Sequence, residues 1–337
     1  MRPLSSDSVD HLIDRVAAMR HQEQVTYKYM NYFRGNAERG SNDATLQPTT
    51  TLNATWREKI VHWSYNVVDH FDLRREVVAI SLDYFDRFMA TRNNRCTGNM
   101  ALLCSLTTLH MAIKLHDPKK VRITTLANLS RDQFGPAHME EMEWTILKAL
   151  EWKLHPPTAA QFVMHMLCFL PEEVSPSVRK ELLELSRYLT ELVVCDMYFV
   201  SLPKSAIALA SILNVMGDIS LTRLSAGLRD TFLRTLSNKL QVFASCPQVV
   251  SSRERMNAAF SSPRINPSQP ETDPLSVVEE SPATTPVPSN PRRRQKVVVV
   301  KRNTYRHASS SSSPLRRVVP ASPRGRMGSS PISVGVQ

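Results

Sequence analysis

The chain has 337 residues, 42% of them apolar and 22% charged, the balance of a soluble protein able to build one or two cores. The formal net charge is +11, but residues 251–337 hold 14 Lys/Arg against 5 Asp/Glu, so residues 1–250 are close to neutral. Five cysteines (Cys96, Cys104, Cys168, Cys195 and Cys246) show no C-x-x-C spacing, the N-terminus has no apolar signal region, and no run approaches the roughly 20 apolar residues of a membrane span; free thiols in a soluble intracellular protein are expected.

Residues 1–33 carry helical spacing in "VDHLIDRVAAMRHQEQVTYKYMNYF", and residues 34–55 form a polar connector. Thr55 and Glu58 have the spacing of a capping box, which predicts a helix from Trp56. On that helix Ile60, Val61, Val67, Val68 and Phe71 share one face, and Arg57 falls inside it.

The next segment, "EVVAISLDYFDRF", places Val77, Ile80, Leu82, Tyr84, Phe85, Phe88 and Met89 on a wide apolar arc. Asp83 and Arg87 lie opposite as an expected exposed i,i+4 pair, whereas Asp86 lies at the edge of the arc, where a carboxylate needs a partner. Two neighbouring helices thus each carry one charge where an apolar residue is expected. The economical reading is a buried or half-buried Arg57–Asp86 ion pair that fixes their docking; the alternative is that both side chains snorkel to solvent.

From Asn99 to Ile113, "NMALLCSLTTLHMAI" contains no Asp, Glu, Lys or Arg, as expected of a core helix surrounded by others. Lys114 emerges at its C-terminal end. In "PAHMEEMEWTILKALEWKLHPPT" the apolar arc comprises Met139, Met142, Ile146, Leu147, Ala149 and Leu150, and Glu143 falls within it. Lys114 and Glu143 either pair internally or lie exposed among Met111, Leu115, Leu147, Trp152 and Leu154, where two charges on apolar ground have the anatomy of a binding hot spot.

Short turn signals divide Trp56–Leu154 and Thr158–Ser245 into about five helices each, and no alternating strand pattern appears, so the fold class is all-α. The segments are 1–33, 34–55, a first five-helix unit at 56–155, a second at 156–250, and a basic Ser/Pro-rich tail at 251–337. The tail holds 12 of the 22 prolines and is expected to be disordered. No glycine loop, His/Cys metal spacing or assignable acid–base pair is present, so the expectation is a non-enzyme with no catalytic residue, metal or cofactor.

"WREKIVHW", "EVVAISLDYFDRFM", "TTLHMAIKLHD" and "MEEMEWTILKALEWKLHPPTAAQF", in this order and spacing, resemble the cyclin box. The resemblance extends more weakly to about residue 250, through segments similar to the second cyclin repeat. It implies an all-α protein of two consecutive five-helix repeats that binds and activates a cyclin-dependent kinase in cell-cycle control. Arg57 and Asp86 match the family's internal ion pair; Lys114 and Glu143 match the pair that grips the kinase's regulatory helix, with Met111, Leu115, Leu147, Trp152 and Leu154 beside them. Trp56, Ile60 and Trp63 fall in the family's docking groove, where Lys59, Asn66 and Leu102 depart from the docking-competent subset. A transcription-associated cyclin, or a general-factor-like adaptor for polymerase or DNA, is the alternative. The near-neutral charge of residues 1–250 argues against nucleic-acid binding.

In the tail, "SPLR" at Ser313 has the proline and basic residue favoured by proline-directed kinases, and Ser262, Ser281, Thr285, Ser322 and Ser330 also precede proline. The stretch 265–291 lacks Lys, Arg and His and resembles rapid-turnover segments, which implies a ubiquitin ligase as a further partner. "RRRQKVVVVKR" (Arg292, Arg293, Arg294, Lys296, Lys301 and Arg302) is a candidate ligand for a nuclear import receptor, giving a nuclear protein shared with the cytoplasm. Residues 285–310 fused to a cytoplasmic reporter are expected to concentrate it in nuclei. An evenly spread reporter, together with nuclear entry of the full chain with Arg292–Arg294 and Lys296 changed to Ala, would place the signal elsewhere.

Overall fold

The computed structural model describes residues 6–27, 54–92 and 97–261. The connector 34–53, Cys96, the six candidate phosphorylation sites and the basic cluster at 292–302 lie outside the described residues. Among those described there is no strand, and no helix is long and apolar enough to cross a membrane. The described residues form eleven α-helices, in order α1 (Ser6–Val25), α2 (Ala54–His70), α3 (Glu76–Thr91), α4 (Gly98–His116), α5 (Ile123–Asn128), α6 (Pro136–Ala149), α7 (Ala159–Leu167), α8 (Pro176–Leu192), α9 (Lys204–Asp218), α10 (Ala226–Leu240) and α11 (Pro247–Ser261). Two short 3₁₀ turns, Val193–Cys195 and Met197–Phe199, join α8 to α9.

Two separate cores organise these helices. The first gathers residues of α2–α6 around α4, whose Thr97 cap accepts from the Met100 N–H at 3.3 Å. Apolar or small side chains cover α4 on all sides, so α3, α5 and α6 can each pack against it. The second core repeats the plan around α9, which is buried continuously from Ser205 to Met216 and packs against α7, α8 and α11.

Helix α1 joins the second core through Val16 and Met19. Its charges complement two helix ends. Glu23 accepts hydrogen bonds from the backbone N–H of Ser205, at 3.0 Å, and from its hydroxyl, both at the start of α9. Arg20 donates to the carbonyls of Leu240 (2.6 Å) and Gln241 (3.0 Å) at the end of α10, where Gln241 turns left-handed at φ 55°. Just past α1, the Tyr27 hydroxyl accepts from the His155 N–H at 3.0 Å, at the junction of the two cores.

Two boundaries differ from the sequence reading. Helix α2 begins at Ala54, so Thr55 sits inside its first turn rather than at a cap; the alanine methyl cannot compete for backbone hydrogen bonds and favours the helical conformation. The last helix, α11, runs from Pro247 to Ser261, beyond the expected end of the second unit at 250 and into the segment assigned to the tail. Val249, Ser252 and Met256 are its buried stripe, too narrow and too rich in serine neighbours to register as an apolar period.

Asp117 closes the first unit by accepting from the N–H groups of Arg74 and Lys119, both at 2.8 Å, and tying the end of α4 to the start of α3. Burial alone would raise its carboxyl, but these bonds and the Arg74 guanidinium outweigh burial and hold it below the usual range. A carboxyl depressed in the folded state contributes stability above its unfolded pKa and loses it as pH falls through the folded value. Asp117→Asn is therefore expected to lower the melting temperature at pH 7 and to flatten the acid limb below about pH 4. An unchanged acid limb in thermal melts across pH 2–7 would contradict this.

Candidate functional site

Helices α2 and α3 bring Arg57 and Asp86 together in a bidentate ion pair. Nε donates to Oδ1 at 2.9 Å and Nη2 to Oδ2 at 2.8 Å, with the residues only 4% and 9% exposed. The third arm, Nη1, donates to the Val194 carbonyl at 2.6 Å, in the 3₁₀ turn before α9. The pair therefore fixes more than the docking of two helices: it fastens the first unit to the second. The side chain of Lys204, at the start of α9, faces the same region; burial pushes its ammonium below the usual range while the charges of Asp83 and Asp86 oppose that shift.

Asp83 and Arg87 are not on an exposed face. Their side chains are 5% and 13% exposed, with Arg87 Nε donating to Asp83 Oδ2 at 2.7 Å and Nη2 to the Lys153 carbonyl at 2.8 Å. The Tyr27 ring covers the guanidinium at 4.9 Å. The side of α3 that faces away from the first core is thus closed by the junction with the second, and burial raises the Asp83 carboxyl against the pull of Arg87.

The last turn of α4 and the length of α6 place Lys114 against Glu143, with Lys114 Nζ bonded to Glu143 Oε1. Their side chains are 44% and 17% exposed, so the pair is formed and lies at the surface, which joins the two alternatives left by the sequence. His110 Nδ1 lies 4.0 Å from Glu143 Oε2, and burial, followed by the Lys114 charge, pushes this imidazole below its usual range. Leu115, next to Lys114 at the end of α4, is 41% exposed, and Trp152, just past α6, is 59% exposed.

Three other residues expected on this surface do not reach it. Met111 is fully buried one turn deeper on α4, which remains enclosed until its last turn, and Leu147 and Leu154 are buried in the first core. Trp144 was missed: it is half exposed and meets the Trp152 ring edge-on, yet it lies off the apolar arc of α6 that marks the core. The expected docking groove is likewise reduced. Ile60 belongs to the inner face of α2 and is buried in the first core with Leu102, leaving Trp56 and Trp63 half-buried along its edge.

Among the described residues no group of His, Cys, Asp and Glu is placed to hold a metal ion. The site is a surface of two charges and two indoles over a rigid helical base, an arrangement suited to holding another protein.

Residues 19–155 match the family described as Cyclin, N-terminal domain. Over 172 residues the chain is 26% identical to cyclin-D3-3 of Arabidopsis thaliana, covering 49% of this chain and 46% of that one. It is 23% identical over 229 residues to G1/S-specific cyclin-D1 of Mus musculus, covering 66% and 74%. A solved viral cyclin from herpesvirus saimiri has 16% identity and a TM-score of 0.46, covering 75% of this chain and 99% of that one. The matched stretch spans less than half the length of the plant relative.

Truncating Asp86 to Ala would leave a buried guanidinium without its carboxylate, a loss of roughly 3–5 kcal/mol. Chemical denaturation is expected to show this loss. A denaturation midpoint equal to that of the unaltered chain would mean that water replaces the carboxylate without cost.

Proposed function

We infer that this chain, whose residues 19–155 match the cyclin N-terminal domain, is a cyclin-box protein. We propose that it is the non-catalytic regulatory subunit of a cyclin-dependent Ser/Thr kinase and that it acts in cell-cycle control, chiefly in the nucleus. The observation that carries this reading is the Lys114–Glu143 pair that joins α4 to α6, with Leu115 exposed at the end of α4 and Trp152 exposed just past α6.

The physical argument concerns what such a pair does when a partner arrives. With Lys114 almost half exposed, the pair contributes only about 0–1 kcal/mol in the free protein. Its charges are therefore free at little cost to bond the polar ends of a partner helix. Covering Leu115 and Trp152 removes apolar area from water and dries the charges, which strengthens the new bonds. A kinase helix held in this way has its own catalytic Lys–Glu pair completed and its activation loop moved aside. Catalysis belongs to the kinase, and this chain supplies the rigid surface.

Lys114→Ala with Glu143→Ala is expected to weaken kinase binding by roughly 2–4 kcal/mol while helix content and melting temperature stay close to those of the unaltered chain. Affinity capture followed by a histone-type kinase assay measures both effects. Full kinase activation by the folded double variant would overturn the proposal.

A further inference from the structure

Two half-exposed tryptophans stand side by side on the first unit. Trp144 is 51% exposed and Trp152 59%, their ring centroids lie 5.9 Å apart at 78°, and neither indole packs into the first core. Lys148 Nζ sits 4.7 Å from the Trp144 ring centroid, on the outward side of α6. The folded chain gains little burial from either side chain.

The backbone nonetheless holds them in place. Helix α6 ends with the Trp152 N–H bonded to the Leu147 carbonyl at 3.1 Å and the Glu151 N–H to the Lys148 carbonyl at 3.2 Å, the paired bonds of a Schellman turn. Glycine ordinarily takes the left-handed position of that turn. Here Glu151 adopts it at φ 52°, and Trp152 follows at φ 60°, so two residues with side chains occupy a region that disfavours them. This costly turn lifts Trp152 off the core and against Trp144. Backbone strain that serves no packing is characteristic of binding surfaces.

We propose that Trp144, braced by Trp152 and flanked by Lys148, is a second anchor for the kinase partner and selects among kinases. This rests on the kinase-binding reading above, because Trp144 directly follows Glu143 on α6 and its ring meets that of Trp152, which the cyclin-box resemblance sets beside the kinase-binding pair. The kinase that fits presents an apolar recess wide enough for an indole, bordered by a carboxylate that meets Lys148. A kinase with a filled recess, or with a basic border, is disfavoured.

The test uses the full chain with a panel of purified cyclin-dependent kinases, comparing the unaltered protein, Trp144→Ala, Trp144→Phe and the Lys114/Glu143 double Ala variant. Trp144→Ala is expected to lose roughly 10- to 100-fold in affinity for the kinase that the unaltered chain prefers and to flatten the preference across the panel. Trp144→Phe is expected to keep most of both, and the circular dichroism and melting temperature of each are expected to be unchanged. If Trp144→Ala binds as tightly and as selectively as the unaltered chain while the double variant fails, the second anchor is wrong and the kinase reading stands. If the unaltered chain binds no kinase in the panel, both fall. Self-association of the unaltered chain that Trp144→Ala abolishes, with kinase affinity intact, would assign the indoles to a second copy and also overturn the proposal.

Discussion

The guanidinium of Arg57 is the point on which the arrangement of the two units depends. Each of its three nitrogens donates a hydrogen bond, two to Asp86 of α3 and one to the Val194 carbonyl at the entrance to α9. A buried charge is tolerated only when its hydrogen bonds are met, so α2, α3 and the 3₁₀ turn must hold one relative position for all three bonds to form together. Helix α3 in turn packs along α4, and α4 along α6. The same stack of helices carries Lys114 at the end of α4 and Glu143 on α6.

Helix α1 reinforces the same seam from the other side. It sets a carboxylate at the start of α9 and a guanidinium at the end of α10, each charge against the helix end of opposite polarity. It then delivers Tyr27 to the His155 amide and to the face of Arg87, where the units meet. Apolar packing is non-directional, and these polar ties, each with its own geometry, specify where the two units meet. The cost is a set of buried ionisable groups, of which Asp83, raised by burial, and Lys204, lowered by it, are the clearest.

How much of this was legible in the sequence depends on where the signal lay. Helix α4 announced itself by fifteen residues without a charge, and Arg57 and Asp86 by breaking otherwise apolar faces. The Val194 carbonyl gave no sign, because a backbone acceptor carries no residue-type signature. The burial of Asp83 and Arg87 was misread because a helical wheel registers one core, and α3 is covered on both sides. Met111 was placed too far out for a related reason: periodicity gives the face of a residue, not its depth along the helix. Trp144 escaped notice because an apolar residue off the core arc looks like ordinary surface until its neighbour across the turn, Trp152, is seen beside it.

A kinase held as proposed would cover the end of α4 and the C-terminal half of α6. Hydrogen exchange of the purified chain, free and saturated with its kinase, measures this directly. New protection is expected in residues 111–116 and 143–154, with α1 and α10 unchanged. Protection concentrated on α8 or α10, with 143–154 exchanging as in the free chain, would contradict it.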